Sequence, residues 1–278
     1  MPEGDTIFRA ARTLRSALAG KEVTRFETAL AQLHQSDVQE PIRGRTVLDA
    51  TSAGKHLLID FSGDLTLRTH MRMNGSWHIY RPGERWQVGR QHMRAVIETA
   101  DFVAVAFNVP VAEFLRTSEL TRHQELRRLG PDFLGEQFDR DEAFRRIRER
   151  GGQEIGPVIL TQRVVAGIGN VFKSEVLFLA GINPFTRVAS VSDDEINQVV
   201  DLGLKYLRLN VVDGKGDGIV TYTGFRRTTG RSDPSERLWV YGRRNEPCRK
   251  CASPIQYGKQ GEDARSTYWC ELCQPARE

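Results

Sequence analysis

The most distinctive chemistry in the sequence lies at its start, Met1-Pro2-Glu3-Gly4. A small second residue normally leads to removal of the initiating methionine, so the mature chain is expected to begin with a secondary amine at Pro2. Such an amine attacks an aldehyde-like carbon and forms an iminium. Glu3 lies next to it and supplies a carboxyl group for proton transfer. Pro2 and Glu3 are therefore candidate catalytic residues, although most second-position prolines indicate only that Met1 is removed.

Four cysteines form the second pattern, and all lie within the last 31 residues. Cys248 and Cys251 make one C-x-x-C pair, and Cys270 and Cys273 make another after eighteen intervening residues. This spacing is typical of a zinc site, because each turn directs two thiolates towards one centre. Four thiolates leave no open position, so one structural Zn2+ ion is expected. Disulfides are the alternative, and the lack of a secretory signal disfavours them.

The elements that position these residues follow from hydrophobic periodicity. Apolar side chains at helical spacing predict a leading helix that Gly20 ends; they are Ile7, Ala10, Ala11, Leu14 and Leu18. From residue 47 to residue 107, short runs rich in β-branched residues predict strands instead. The clearest runs are 56–61, 65–69, 77–80, 93–98 and 102–107. A β-sandwich or a barrel would close such a set of strands.

Beyond about residue 115 the pattern becomes helical. The apolar stretch 156–181 predicts two short helices joined at Gly167-Ile168-Gly169, with Asn170 opening the second and Gly181 ending it. A capping box at Ser192-Asp193-Asp194-Glu195 precedes a further helix. Positions 214–234 are rich in Gly, Thr, Arg and Asp, and we interpret them as a basic loop that carries Arg226, Arg227 and Arg231.

Composition and charge restrict the class of partner. The sequence is 39% hydrophobic and 27% charged, as in an ordinary globular protein. It has neither an apolar run long enough to span a membrane nor the apolar core of a signal peptide, so a cytoplasmic protein is expected. Residues 222–278 carry eleven Lys/Arg against seven Asp/Glu and hold the whole net charge of +4. A basic tail indicates an anionic partner, with nucleic acid the first candidate, but a solvated surface explains it equally well.

Taken together, four landmarks resemble the formamidopyrimidine-DNA glycosylase and endonuclease VIII family. They are Pro2-Glu3-Gly4, the turn at 54–58, the helix entry at 167–170 and the paired cysteines, and they occur in the family's order from residue 2 to residue 273. The opening and the residues around Met73 are more similar to the endonuclease VIII branch. The resemblance implies an α+β multidomain fold. Its parts are a β-sandwich with a leading helix in residues 1–115, a helical domain with a helix–two-turn–helix in 116–245 and a zinc-finger hairpin in 246–278.

The resemblance also implies catalytic roles. Pro2 would attack C1′ of the damaged nucleotide, and Glu3 would protonate the sugar ring oxygen. Lys55 would contact a phosphate beside the lesion, Asn170 would bind phosphate at a helix N-terminus, and Arg265 would grip phosphate with its planar donors. Taken alone, Lys55 is equally a solvated surface charge. Asn170 is also expected to be an ordinary N-cap, a role that is compatible with phosphate binding.

An enzyme that expels its target base must fill the space left in the stack. The resemblance places this wedge in His70-Met71-Arg72-Met73-Asn74, with Met73 as the wedge and Arg72 facing the orphaned base. His70 is a further candidate phosphate contact. The alternative for Met73 is an ordinary core position.

Two departures from the family concern the substrate. Several members carry Pro-Glu where this chain has Asp5-Thr6, which puts the pocket for the damaged base in question. Residues 108–118 show no basic-aromatic wedge for the opposite base, and this allows action on duplex, bubble or single-stranded DNA.

The expected function is that of a bifunctional DNA glycosylase and abasic-site lyase that acts as a monomer. It would remove oxidised bases, with pyrimidines as the expected substrates, and cleave the strand by β,δ-elimination. Two alternatives remain open at this point: a lyase without base excision, and a non-catalytic zinc protein that binds damaged or single-stranded DNA. A zinc-bearing transcription regulator also fits the composition, but it would leave the N-terminus unexplained.

Overall fold

The hydrophobic residues gather into separate cores within two units, Met1–Arg128 and Leu129–Glu278. The computed structural model describes residues 2–212, 221 and 237–277, with only the backbone for Val212. The basic segment expected at 214–234 therefore lies outside the described residues, except for Thr221. Among the residues that the structure describes, no helix combines the length with the apolar character that a membrane span needs.

The N-terminal unit is a β-sandwich with a leading helix, as predicted. Its elements are α1 (Gly4–Leu18), β1 (Arg25–Thr28), α2 (Ala31–Gln39), β2 (Val47–Ala53), β3 (His56–Phe61), β4 (Leu65–His70), β5 (Ser76–Tyr80), β6 (Met93–Glu98), β7 (Val103–Phe107), β8 (Val111–Leu115) and α3 (Gln124–Arg127). One antiparallel sheet has the order β1-β6-β7-β5 and the other β2-β3-β4-β8. The barrel alternative is excluded, because the strands form two separate sheets.

Helix α1 closes the core of this sandwich. Ile7, Leu14 and Leu18 lie on one face of the helix and are buried, because apolar residues at this spacing form a continuous stripe. The stripe packs on β2 and β3. After the helix, Gly20 takes a φ of +78°, which favours glycine. The packing of α1 fixes the position of its N-terminus, where Pro2 and Glu3 lie.

A buried polar cluster lies beneath one end of the second sheet. The guanidinium of Arg68, on β4, is almost fully buried and pairs with Glu113 on β8 and Glu125 on α3. His123 lies 3.4 Å from the same Glu113 carboxylate. His56 begins β3 directly opposite His70, the last residue of β4, and their rings meet edge to face with centroids 4.8 Å apart. Burial, reinforced by the charge of Arg68, lowers the pKa of His56 to about 3.

The C-terminal unit is helical and ends in a hairpin. It contains α4 (Arg140–Arg148), α5 (Ile155–Leu160), α6 (Asn170–Ala180), α7 (Asp193–Val212), β9 (Gln256–Gln260) and β10 (Arg265–Trp269). The predicted capping box is confirmed, because Ser192 and Glu195 exchange side-chain to backbone hydrogen bonds of 2.9 and 3.3 Å. Gly181 ends α6 in a left-handed conformation, as expected.

Glu175 joins α6 to the segment that leads into the cysteines. Its carboxylate is fully buried and accepts backbone N–H bonds of 2.8 to 2.9 Å from Trp239, Val240 and Tyr241. The hydroxyl of Thr221 also donates to it. Burial raises the pKa of Glu175, and the hydrogen bonds oppose that shift. A buried carboxylate is costly unless donors surround it, so this arrangement fixes the segment on the helix.

The buried His56 leads to a prediction about acid stability. Because the pKa of His56 is lower in the folded state than in the unfolded state, protons bind preferentially to the unfolded chain below about pH 6.5. Between pH 7.5 and pH 5.0 this group is expected to cost about 2 kcal/mol of unfolding free energy. Chemical denaturation at both pH values should show the loss in the native protein and a correspondingly smaller loss in His56→Gln.

The matched control is His34→Gln, because His34 is exposed on α2 and its ring stays in water in both states. A His56→Gln variant that keeps the full pH dependence of the native protein would show that His56 is not the group that titrates.

Candidate active site

Pro2 and Glu3 lie at the N-terminus of α1. Pro2 is half-buried, whereas Glu3 has no exposed surface. The backbone carbonyl of Glu3 accepts the first hydrogen bond of the helix, from Ile7, and its side chain makes no capping bond. An amine at Pro2 would therefore lie at the positive end of the helix dipole, which favours its unprotonated form, with a shielded carboxyl group one residue away.

Asp5 is a second buried carboxyl group in the first turn of α1. Its side chain has no exposed surface and is 3.3 Å from both the Thr6 hydroxyl and the Arg9 guanidinium. Burial raises the pKa of Asp5, and the positive charge of Arg9 opposes that shift. The departure from the family pattern at Asp5-Thr6 thus retains a carboxyl group near Glu3, but at position 5 instead of 6.

Lys55 lies in the two-residue turn between β2 and β3. Ala53 and His56 pair across this turn, and Gly54 takes a φ of +57°. Because His56 pairs with His70, the turn and the end of β4 lie at the same end of the sheet. The half-buried Lys55 is close enough to affect His70 electrostatically.

His70 presents a neutral hydrogen-bond donor at this end of the sheet. Burial is the main reason why the pKa of His70 falls to about 4, and the charges of Arg72 and Lys55 contribute. The Nδ1 atom accepts a hydrogen bond of 3.1 Å from the backbone N–H of Arg72. In a neutral imidazole the proton must then be on Nε2. His70 can therefore donate to a phosphate oxygen without carrying a charge.

The turn after His70 exposes Met73. Arg72 takes a left-handed φ of +49°, and the N–H of Gly75 donates to the carbonyl of Met71 at 2.9 Å. A Cβ atom at Gly75 would collide with Met71, so the turn requires glycine. Met71 is buried in the core, whereas Met73 is 55% exposed at the tip of the turn. The core alternative for Met73 is therefore wrong.

Asn170 is the first residue of α6, at the end of the two-turn connection from α5. Gln162 holds this connection with hydrogen bonds of 2.9 to 3.0 Å to Leu160, Ile168 and Gly167. Gly169 is the N-cap, so the expectation that Asn170 itself caps the helix is wrong. The Asn170 side chain is buried, and its Oδ1 atom has no hydrogen-bond partner among residues 2–212, 221 and 237–277. Such an orphaned polar group at a helix N-terminus suits an external ligand.

Arg265 begins β10 at the end of the hairpin, opposite Gln260. Its guanidinium is 3.0 Å from the carboxylate of Asp263, and 41% of its side chain is exposed. An incoming phosphate would compete with this carboxylate for the same donors.

The four cysteines converge as their spacing predicts. Their sulfur atoms all lie within 4.8 Å of one another. Cys251 and Cys270 are 3.4 Å apart, and Cys248 and Cys273 are 3.8 Å apart. These distances are too long for disulfide bonds. They are close to the sulfur–sulfur distance of about 3.8 Å in a tetrahedral site with metal–sulfur bonds of about 2.3 Å. The residues therefore fit one tetrahedral metal ion.

Two buried residues that support the side chains described above were not predicted from the sequence. Arg68 was detectable as a charge inside the apolar strand 65–69, but only the strand pairing shows its two carboxylate partners. Lys173 is a buried lysine on α6 that donates to the Thr267 hydroxyl on β10 at 2.7 Å. Neither contact follows from periodicity, because each joins distant parts of the sequence.

Comparison with known proteins agrees with this architecture. Residues 1–110 match the formamidopyrimidine-DNA glycosylase N-terminal domain, and residues 129–221 match the formamidopyrimidine-DNA glycosylase H2TH domain. The chain is 41% identical over 277 residues to "Probable endonuclease 8 2" of Streptomyces coelicolor, covering 99% of this chain and 94% of that protein. It is 35% identical over 276 residues to "DNA-(apurinic or apyrimidinic site) lyase Nei2" of Mycolicibacterium smegmatis, covering 99% and 100%.

A solved structure also shares the fold. The Lactococcus lactis Fpg bound to DNA with an abasic site superposes with a TM-score of 0.83 at 22% identity, over 99% of this chain and 100% of that one. The sequence relatives, unlike this structural match, are close enough to assign the family. The chain therefore belongs to the formamidopyrimidine-DNA glycosylase and endonuclease VIII family, with closer similarity to the endonuclease VIII branch.

Proposed function

We propose that this protein is a bifunctional DNA glycosylase and abasic-site lyase of base excision repair. The observation that carries the proposal is the N-terminus of α1, where the half-buried Pro2 adjoins the fully buried Glu3. A carboxyl group shielded from water beside an amine is placed to serve as a general acid. The relatives named as endonuclease 8 and as an abasic-site lyase support the same activity.

In the proposed reaction, the nitrogen of Pro2 attacks C1′ of the damaged nucleotide, and the bond from C1′ to the base breaks. Glu3 protonates the ring oxygen, so that the sugar opens to an iminium. Loss of a C2′ proton then expels the 3′ phosphate, and a second elimination expels the 5′ phosphate. Water then hydrolyses the iminium between Pro2 and the sugar fragment, which restores the free amine. The products are the released base, a one-nucleotide gap with phosphates on both ends and the released sugar fragment. Removal of Met1 is required, because Pro2 must have a free amine.

The proposed phosphate contacts are Lys55, His70, Asn170 and Arg265. Lys55 and Arg265 contribute positive charge, whereas His70 and Asn170 contribute neutral donors, with the Asn170 amide turned so that its NH2 faces the phosphate. Met73 is proposed as the wedge, since it is apolar and exposed at a tight turn, and Arg72 beside it would face the orphaned base. The proposed substrates are oxidised pyrimidines and abasic sites, and a monomer is sufficient for this chemistry.

We propose that Cys248, Cys251, Cys270 and Cys273 hold one structural Zn2+ ion. The ion would fix the base of the β9–β10 hairpin and thereby the position of Arg265. Four thiolates leave no position for substrate, so no catalytic step is assigned to this site.

The test of the activity is borohydride trapping on two oligonucleotides, one with a preformed abasic site and one with thymine glycol. The native protein should form an adduct with both, and peptide mapping should place it on Pro2. Glu3→Gln should still form the adduct at the abasic site but lose base excision from thymine glycol by at least about 100-fold, the usual size of a general-acid contribution.

The control is Glu22→Gln, which removes an exposed carboxylate of the same unit. An adduct on a residue other than Pro2 would refute the mechanism, and equal retention of both activities by Glu3→Gln would refute its role as the acid. Cleavage of the abasic site with no excision in the native protein would identify a lyase alone. A native protein that binds both oligonucleotides without any adduct would be a binding protein.

The Asp263 carboxylate leads to a prediction about affinity. Because it occupies the donors of Arg265, Asp263→Asn should tighten binding to abasic-site DNA by about two- to five-fold, the scale of an exposed ion pair. Titration at fixed salt measures this change. Glu262→Gln is the control, because it removes the neighbouring charge without altering the Arg265 pair. Equal tightening in both variants would indicate a general charge effect.

The cysteine site predicts one zinc ion per chain. Metal analysis of the purified protein measures this ratio directly. Cys273→Ser should lose the ion, lower the melting temperature and weaken DNA binding, since metal binding and folding are coupled at such sites. A protein that lacks zinc yet keeps its melting temperature and its DNA binding would contradict the proposal.

A further inference from the structure

The β9–β10 hairpin has two chemically different faces. Gln260 and Thr267 point to the buried face, where Gln260 donates 2.8 Å bonds to Glu154 and to the carbonyl of Pro184. Lys173 on α6 donates to Thr267 on that same face. Because side chains alternate along a strand, the neighbouring residues belong to the opposite face. Its members are Tyr257, Lys259, Ser266 and Tyr268, and we call it the outer face.

Tyrosine rings cluster on the outer face. Tyr257 and Tyr268 are directly opposed in the strand pairing, with ring centroids 5.0 Å apart. Tyr241 extends the row, with its centroid 4.9 Å from that of Tyr268. All three residues are only partly buried. Aromatic surface left open to water in this way is typical of a binding site.

Positive charge surrounds these rings. The guanidinium of Arg244 lies 5.3 Å from the ring centroid of Tyr257, and the ammonium of Lys259 lies 5.9 Å from it. Both cations are exposed, and neither forms an ion pair within the part of the chain that the structure describes. A hydrogen bond with Ser266 lowers the pKa of the Tyr257 phenol, and Lys259 and Arg244 contribute to that shift. The outer face is therefore suited to an anion that also carries flat apolar rings.

We propose that the outer face, together with Tyr241 and Arg244, binds unpaired nucleotides of a DNA strand. Bases stack on aromatic side chains while the phosphates between them attract exposed cations. In a duplex the faces of the bases are already covered by their neighbours, so only unpaired nucleotides offer a face to Tyr257. This assignment rests on the proposed function and specifies its substrate as DNA with a single-stranded stretch beside the lesion.

The register of the hairpin predicts where on the strand this contact falls. Tyr257 and Tyr268 lie three residue pairs from the Gln260–Arg265 pair, which corresponds to about 10 Å along the strands. Stacked nucleotides advance about 3.4 Å each along one strand. Because three pairs is an odd number, the Arg265 side chain belongs to the opposite face of the hairpin. The contacted bases should thus lie at least about three nucleotides from the phosphate bound by Arg265.

The experiment compares an abasic-site duplex with the same abasic strand in single-stranded form. Binding and single-turnover cleavage are measured for the native protein, Tyr257→Ala and Tyr257→Phe. Loss of one stacking ring should weaken binding to the single strand by about 5- to 150-fold in Tyr257→Ala. Binding to the duplex should change less than two-fold, and Tyr257→Phe should behave like the native protein because the ring remains.

Lys259→Ala should weaken single-strand binding and make it less dependent on salt, since one phosphate contact is lost. Lys205→Ala is its control, because Lys205 also lies over a tyrosine ring, that of Tyr206, but on α7. Zinc content and melting temperature verify that each variant keeps its hairpin. Photo-crosslinking of the native protein to 5-iodouracil placed at successive positions beside the abasic site should label Tyr257 or Tyr268.

The outcomes separate the two proposals. A native protein that cleaves neither the abasic duplex nor the abasic single strand would overturn the proposed function. A native protein that cleaves at least one of them, while Tyr257→Ala binds both DNAs normally or weakens both equally, would overturn the assignment of the outer face. Crosslinks confined to other residues would overturn it as well.

Discussion

A carboxylate removed from water destabilises a protein unless donors surround it. Glu175, in the C-terminal unit, is such a carboxylate. Three consecutive backbone N–H groups and a threonine hydroxyl converge on it. One side chain thereby ties α6, which begins at Asn170, to the segment that precedes the cysteines. Lys173, two residues earlier on the same helix, ties the hairpin to α6 through Thr267. The relative positions of Asn170 and Arg265 depend on these two buried charges.

The N-terminal unit uses the opposite charge for the same purpose. Arg68 is buried near the end of the sheet that carries Lys55 and His70, and its two carboxylate partners come from β8 and α3. Its positive charge helps to keep His56 and His70 neutral. In both units, therefore, a buried charged side chain with several polar partners lies behind the side chains proposed to contact DNA. Removing one partner of a buried charge is costly, which favours a single geometry.

Much of this protein could be predicted from sequence because the relevant signals are local. The stripe from Ile7 to Leu18 predicts α1, the capping box predicts the start of α7, and each C-x-x-C turn directs its own two thiolates. The five strands with clear apolar runs were also found. Strands β1, β2 and β8 were not identified individually, because most of their residues are half-exposed or exposed. The sequence determined the family and made Pro2 and Glu3 candidate catalytic residues through motifs that are short and contiguous.

Tertiary structure decided the properties that depend on the conformation of each turn and on contacts between separate side chains. The exposure of Met73 and the burial of Met71 follow from a turn that His70 and Gly75 shape, and composition does not distinguish the two methionines. The tautomer of His70, the competition of Asp263 for Arg265 and the opposition of Tyr257 to Tyr268 all require the fold to bring separate groups within a few ångströms. The physical reason is that pKa values, hydrogen bonds and ring contacts depend on distance in space, whereas a motif records only distance along the chain.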